Sequence, residues 1–185
     1  MAFFAPSDEI GLLMNAPRHI QYRDAQPQDA AVIRKLIFEH GPNPWNYLPE
    51  AGVHAHLDRV EAGSEWAVTA WAGTELVGFL SYRIGRVFPQ CEPEATRDAD
   101  HGYIVEGVVH RRFTGGGIGT ALMEAAKDRL RARGMRLVYA DRHEENVGSD
   151  RLMATTGFEI VDTFAEPERR LHGSGRTAVG RCRLL

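Results

Sequence analysis

The chain has 185 residues, 43% of them apolar and 25% charged, an ordinary balance for a soluble chain with enough length to bury one core. A formal net charge of −3 gives no broad basic surface for nucleic acid, and no apolar run reaches the length of a membrane span. The two cysteines, Cys91 and Cys182, imply neither a disulfide framework nor a zinc site and read as reduced thiols of a cytoplasmic protein.

Residues 1–18 lack a basic start and carry Asp8 and Glu9 early. They read as a loose lead-in to a single domain spanning 1–185, not as a signal peptide. Residues 19–23 alternate weakly, as a first strand. Pro27, Gln28 and Asp29 open a helical pattern through Ala30, Ile33, Leu36 and Ile37, which the run Gly41-Pro42-Asn43-Pro44 breaks. A second helical pattern passes His54, Leu57 and Val60 and stops at Gly63. His54 and His56 read as surface histidines on it, since no carboxylates accompany them at ligand spacing. Residues 65–72 and 75–85 flank Gly73-Thr74 as a β-hairpin. The polar run 86–101, with Pro89 and Pro93, reads as a loop suited to line a substrate entry.

Residues 103–133 organise the rest. Ile104, Val105, Val108 and Val109 form an apolar, β-branched strand. Ile118, Ala121, Leu122, Ala125 and Leu130 fall on one helical face, and Gly134 follows as a C-cap. Between them stand Thr114, Gly115, Gly116, Gly117, Ile118 and Gly119, with Thr120 next. Glycines let the backbone turn sharply and a ligand approach its amides, and the first amides of a helix have no internal acceptor. A strand, a glycine-rich turn and a helix N-terminus make an anion cradle, most often for phosphate. No Walker lysine follows the glycines. The dinucleotide spacing fails as well, because its third glycine would fall on Thr120 or Leu122. Residues 136–140 then read as a strand, the stretch from Asn146 to Phe158 holds a short helix, and residues 158–164 and 176–185 end the chain as strands.

The stretch 104–158 resembles the GNAT superfamily of acyl-CoA-dependent N-acetyltransferases. Val109 ends the strand, and Thr114, Gly117 and Gly119 occupy the family's Arg/Gln-x-x-Gly-x-Gly/Ala positions. Asn146, Leu152, Gly157 and Phe158 match further on. Two departures are plain: Thr114 replaces Arg or Gln, and Met153 stands where the family commonly has a tyrosine acting as general acid. The resemblance implies an α/β (α+β) fold with a mixed, mostly antiparallel sheet flanked by helices and a CoA cleft between two splayed central strands. It implies acetyl transfer from acetyl-CoA, with no metal, to a primary amine of a small molecule or peptide, by direct attack through a tetrahedral intermediate. The two departures motivate an alternative, a catalytically weak acetyl-CoA sensor.

Such chemistry needs a base for the amine and a donor for the oxyanion. Glu106, inside the apolar strand, is the leading base, because burial raises a carboxyl's pKa. His143 ranks behind it, and Tyr139 is a candidate acid that reads better as a core aromatic. The resemblance gives the oxyanion donor as the N–H of Val108 or Val109, places Asn146 against the cofactor arm, and sets the pyrophosphate on Gly115 to Gly119. His110, Arg111 and Arg112 read equally as bases that meet the adenosine phosphates or as a solvated turn. The regions that would choose the acceptor are 42–62 and 86–101. Nothing in the chain decides between a monomer and a homodimer.

Overall fold

The computed structural model describes residues 19–92, 94 and 97–184, so the lead-in lies outside the described residues. Seven strands form one sheet: β1 (Ile20–Asp24), β2 (Trp66–Ala72), β3 (Glu75–Gly85), β4 (His101–Val109), β5 (Leu137–His143), β6 (Glu159–Ala165) and β7 (Arg176–Arg183), in the order β1-β2-β3-β4-β5-β7-β6. Every neighbouring pair is antiparallel except β4 and β5. Among the described residues four α-helices cover the sheet: α1 (Ala30–His40), α2 (Glu50–Glu61), α3 (Ile118–Ala132) and α4 (Val147–Thr155). Among the described residues no helix is long and apolar enough to cross a membrane. The mixed sheet and its order of elements follow the sequence reading.

The apolar periodicity of each helix decides which face of the sheet it covers. Ile118, Leu122, Ala126 and Leu130 recur at helical spacing along α3 and join Val68, Leu80, Ile104 and Val138 in the largest core cluster. Met153 of α4 and Phe158 belong to the same layer. Ile33 and Ile37 of α1 and Leu57 of α2 cover the other face with Phe79 and Val108. The α1 layer is tied to the sheet at its start. Asp29 receives both Arg23 guanidinium nitrogens, at 2.6 and 2.9 Å, and the Gln26 N–H at 2.8 Å.

Both layers correct sequence expectations. His56 is not a surface residue. It lies one position before Leu57 and three after Val53, on the buried face of α2, and is 6% exposed. His54 is half-buried on the same helix. The run 86–101 does not line a substrate entry among its described residues. Val87 and Phe88 pack instead against Tyr103, Tyr139 and Val179, and Glu92 accepts a hydrogen bond from the Tyr139 hydroxyl. Tyr139 is therefore a core aromatic, fully buried and committed through its hydroxyl.

α3 sits close to the sheet because β3 and β4 offer it glycines. A Cβ at Gly78 would lie 2.9 Å from both Ile118 Cγ2 and Leu122 Cδ1. We expect Gly78→Ala to destabilise the fold by about 1–3 kcal/mol through overpacking. The measurement is a lowered urea midpoint at unchanged slope; an unshifted midpoint would show that α3 has room to move outward.

Candidate active site

The site begins where two strands part. β4 and β5 pair only at Gly102–Val138 and Tyr103–Tyr139. Beyond these residues a cavity of about 310 Å³ opens between them. Ile104 to Val109 form one wall and Ala140 to His143 the other. Thr114, Asn146, Gly148 and Ser149 line one end; His40, Asn43, Asn46, Tyr47, Arg169 and Arg170 are also part of the lining. The α1–α2 connection thus contributes to the cavity.

Strand alternation tells which backbone groups face the gap. The His110 N–H donates to the Val77 carbonyl at 2.9 Å, so it points toward β3. Successive N–H groups on a strand point to opposite sides. The Val109 N–H is therefore turned to the open edge, and the Val108 N–H faces β3. Of the two expected oxyanion donors, Val109 has the direction, and Val108 is corrected to a ladder position whose side chain packs under α1.

A bulge sets the central carboxylate. Ser81 opposes Glu106 and Tyr82 opposes Ile104, which leaves Val105 as an extra residue on β4. Without it, Ile104, Glu106 and Val108 would share one face. In the structure Ile104 packs in the α3 layer and Val108 in the α1 layer, so the face changes hand at Val105 and Glu106. A bulge of this kind re-aims a side chain. Glu106 lines the cavity, half-buried, and its Oε1 accepts the Gly107 N–H at 3.0 Å. Desolvation pushes its carboxyl up to about 7, opposed by the Gly107 hydrogen bond and by Arg169.

The glycine turn keeps its backbone free. Gly115 and Gly117 have φ of 82° and 79°, a left-handed conformation that other residues adopt at a penalty. A Cβ at either would meet nothing within 4 Å, so the space above them is open and the glycine requirement comes from φ. Gly117 is the N-cap of α3, with Ile118, Gly119 and Thr120 as its first turn. Gly116 lies exposed between the two left-handed glycines. The Thr114 hydroxyl donates to the Arg111 carbonyl at 2.8 Å, fixing the entrance to the turn.

The remaining candidates separate. His143 lines the cavity but is 1% exposed, and both ring nitrogens are engaged: Nε2 donates to the His172 carbonyl at 2.8 Å and Nδ1 accepts the Glu145 N–H at 3.0 Å. Trp45 packs against it, with ring centroids 4.6 Å apart and the planes tilted by 46°. Asn146 caps α4 by accepting the Ser149 N–H at 3.1 Å, while also lining the cavity. Met153 is buried, 4% exposed, in the layer beneath β7.

The sequence reading missed one cluster altogether. Asp141 of β5 accepts from the Tyr103 hydroxyl and from Arg169 and Arg170, the guanidinium nitrogens lying 2.8 and 2.5 Å from Oδ2. Arg170 also donates to the Thr177 hydroxyl at 2.7 Å. The Tyr103 hydroxyl's pKa is raised by burial and by the neighbouring Asp141 charge. The two arginines come from the charged, turn-rich loop between β6 and β7. Only the fold, which returns β7 beside β5, carries them to the cavity.

The acetyltransferase (GNAT) family pattern matches residues 31–158. No curated protein sequence matches the chain at a significant level. Among solved structures, NAA60 of Arabidopsis thaliana, in complex with a bisubstrate analogue, superposes with a TM-score of 0.68 at 20% identity, covering 89% of this chain and 98% of that one. A GNAT-family acetyltransferase from Streptococcus pneumoniae gives 0.66 at 16% identity, with 89% and 99% covered. The ribosomal-protein-S18-alanine N-acetyltransferase of Escherichia coli gives 0.66 at 11%, with 90% and 94% covered. At these identities the likeness is one of fold.

The raised carboxyl has a stability consequence. The folded protein holds the Glu106 proton up to about pH 7, whereas an unperturbed glutamate releases it near 4.5. Stability contributed by this group is full below pH 4.5 and is lost as pH rises toward 7. Glu106→Gln removes that loss. We expect the variant's Tm to exceed the parent's above pH 7 and to converge with it below about pH 4.5. Parallel Tm curves across that range would place the carboxyl in solvent.

Proposed function

Because the chain belongs to the acetyltransferase (GNAT) family, we propose that this cleft transfers an acetyl group from acetyl-CoA to a primary amine of a small molecule or peptide. The observation that carries the reading is Glu106, a carboxyl raised to about 7, aimed by a strand bulge into a gap whose edge backbone is open. The residues present fit the cosubstrate. Gly115 to Gly119 and the first turn of α3 would receive its pyrophosphate on free amides. The open edge of β4 would pair with its amide-bearing arm. Bound there, acetyl-CoA supplies the acetyl thioester.

The chain's own groups divide the work. Glu106 accepts the proton of the amine, directly or through one water, and its pKa near neutrality makes it a stronger base than an ordinary carboxylate while leaving about half of it ionised at pH 7. The Val109 N–H, fixed by its strand, donates where negative charge develops on the acyl oxygen. Met153 offers no proton to the departing sulfur, so that proton comes from solvent. His143, with both nitrogens occupied, holds the loop of Arg169 and Arg170 against β5 and is not the base. Asn43, Asn46, Tyr47 and Arg169 stand at the side of the cavity that an acceptor would enter.

Two measurements test this. Gly117→Asp brings a side chain and a negative charge to a left-handed position at the cradle, and calorimetry should show CoA binding strongly weakened. Parental affinity in a folded variant would put the pyrophosphate elsewhere. Glu106→Gln should lower kcat by roughly 10²–10⁴-fold while acetyl-CoA binding stays near that of the parent. The deficit should shrink at high pH, where the free amine is abundant. In the parent, kcat/KM should rise through pH 7 as Glu106 deprotonates. Parental kcat across the whole range would sink the assignment, and an absence of thiol release with any amine would favour the sensor.

A further inference from the structure

Beneath the bulge a second set of polar groups is buried on the α1 side of the sheet, away from the cleft. Glu65, just before β2, is 6% exposed, His56 of α2 is 6% exposed, and Ser81 of β3 is fully buried. They form a line. Glu65 Oε2 lies 2.5 Å from His56 Nδ1, and His56 Nε2 lies 2.8 Å from Ser81 Oγ. Ser81 Oγ in turn donates to the Glu106 carbonyl at 3.3 Å. The other oxygen of Glu65 receives Arg59 Nε at 2.7 Å.

The line does not end at that carbonyl. The Glu106 carbonyl and the Gly107 N–H belong to one planar peptide group and point in opposite directions. On the cleft side, that N–H donates to the Glu106 carboxyl at 3.0 Å. One peptide group therefore joins the buried line to the carboxyl in the cavity. A donor on the carbonyl polarises the N–H and strengthens the bond it gives, as in any hydrogen-bonded chain.

We propose that Glu65, His56 and Ser81 are positioning residues, a relay that holds and polarises the 106–107 peptide and so fixes the orientation and acidity of Glu106. The relay rests on the reading of Glu106 as base, but its geometry stands apart from that reading. A hydroxyl has one proton. When Ser81 gives it to the carbonyl, the oxygen accepts from His56, and both ring nitrogens donate. The ring is then cationic, balanced by Glu65, which it shares with Arg59. When the ring is neutral with Nδ1 protonated, Ser81 turns its proton to Nε2 and the carbonyl loses the donor. The groups that face Glu106 from other elements are Arg169 and Arg170 of the β6–β7 loop and Asp141 of β5; those that face His56 are Glu65 and Ser81.

The test reads the carboxyl directly. With side-chain ¹³C-labelled glutamate, the Glu106 signal, assigned by its loss in Glu106→Gln, is titrated by NMR in the protein without cosubstrate, alongside kcat against pH. Ser81→Ala should move the Glu106 midpoint upward, because the opposing Gly107 bond weakens, and should lower kcat by about 10-fold with the KM for acetyl-CoA unchanged. Ser81→Thr, which keeps the hydroxyl, should restore the midpoint. Glu65→Gln should reproduce the Ser81→Ala shift from the far end of the line. The double variant should go no further than either alone, as expected of groups acting in series. A Glu106 midpoint unmoved in Ser81→Ala, or a Glu65→Gln shift that adds fully to it, overturns the relay. If Glu106→Gln keeps parental kcat, the base reading fails by itself, and the NMR midpoints still decide the relay.

Discussion

The active site depends on two strands ceasing to pair. β4 and β5 are parallel neighbours for two residues each and then part. Parallel pairing normally continues where both strands are long enough, and here both are, so something must hold them apart. One wedge is the buried charge cluster on β5. Asp141 sits two residues past Tyr139, the last paired position of β5, with Arg169 and Arg170 bound to it and with the Tyr103 hydroxyl reaching across from β4. Side chains that satisfy one another between the strands substitute for the missing ladder. Removing one partner would leave a buried ion uncompensated, an expensive state. The two strands supply the acid and the hydroxyl of this cluster, and the β6–β7 loop supplies both of its cations.

The second constraint is the bulge. It makes β4 serve two cores with one sequence, Ile104 facing α3 and Val108 facing α1. The residue at the change of face is the one whose carboxyl enters the cavity. A strand held by β3 fixes the Glu106 backbone beside the cavity, and the Gly107 N–H holds one of its carboxylate oxygens there. Position and acidity therefore have one cause.

Much of this was legible in the sequence. The apolar spacing of Ile118, Leu122 and Leu130 gave α3, and the glycines after Val109 gave the turn, since left-handed φ at Gly115 and Gly117 leaves a compositional mark. Glu106 stood out as a lone carboxylate among β-branched residues. The bulge was not legible, because one extra residue in a strand changes no local propensity. His56 was misplaced although Val53 and Leu57 fix the buried face it shares; a histidine gives no apolar signal, and its partners Glu65 and Ser81 are distant in sequence. Arg169 and Arg170 were invisible for a different reason. Charged residues in a turn have the same appearance whether they face solvent or a cleft, and only the return of β7 beside β5 decides between the two.

The unpaired stretch of β4 has one more implication. An exposed strand edge invites other chains to add to it, which is why natural sheets shield their margins. This edge is not at a margin. β5, β7 and β6 continue the sheet beyond it, so a foreign strand would have to enter a slot already roofed by helices and the β6–β7 loop. The protein thereby displays unsatisfied main-chain donors in its interior without the association hazard of a free border. A molecule that reaches those donors has to enter edge-on, with β4 on one side of it and β5 on the other.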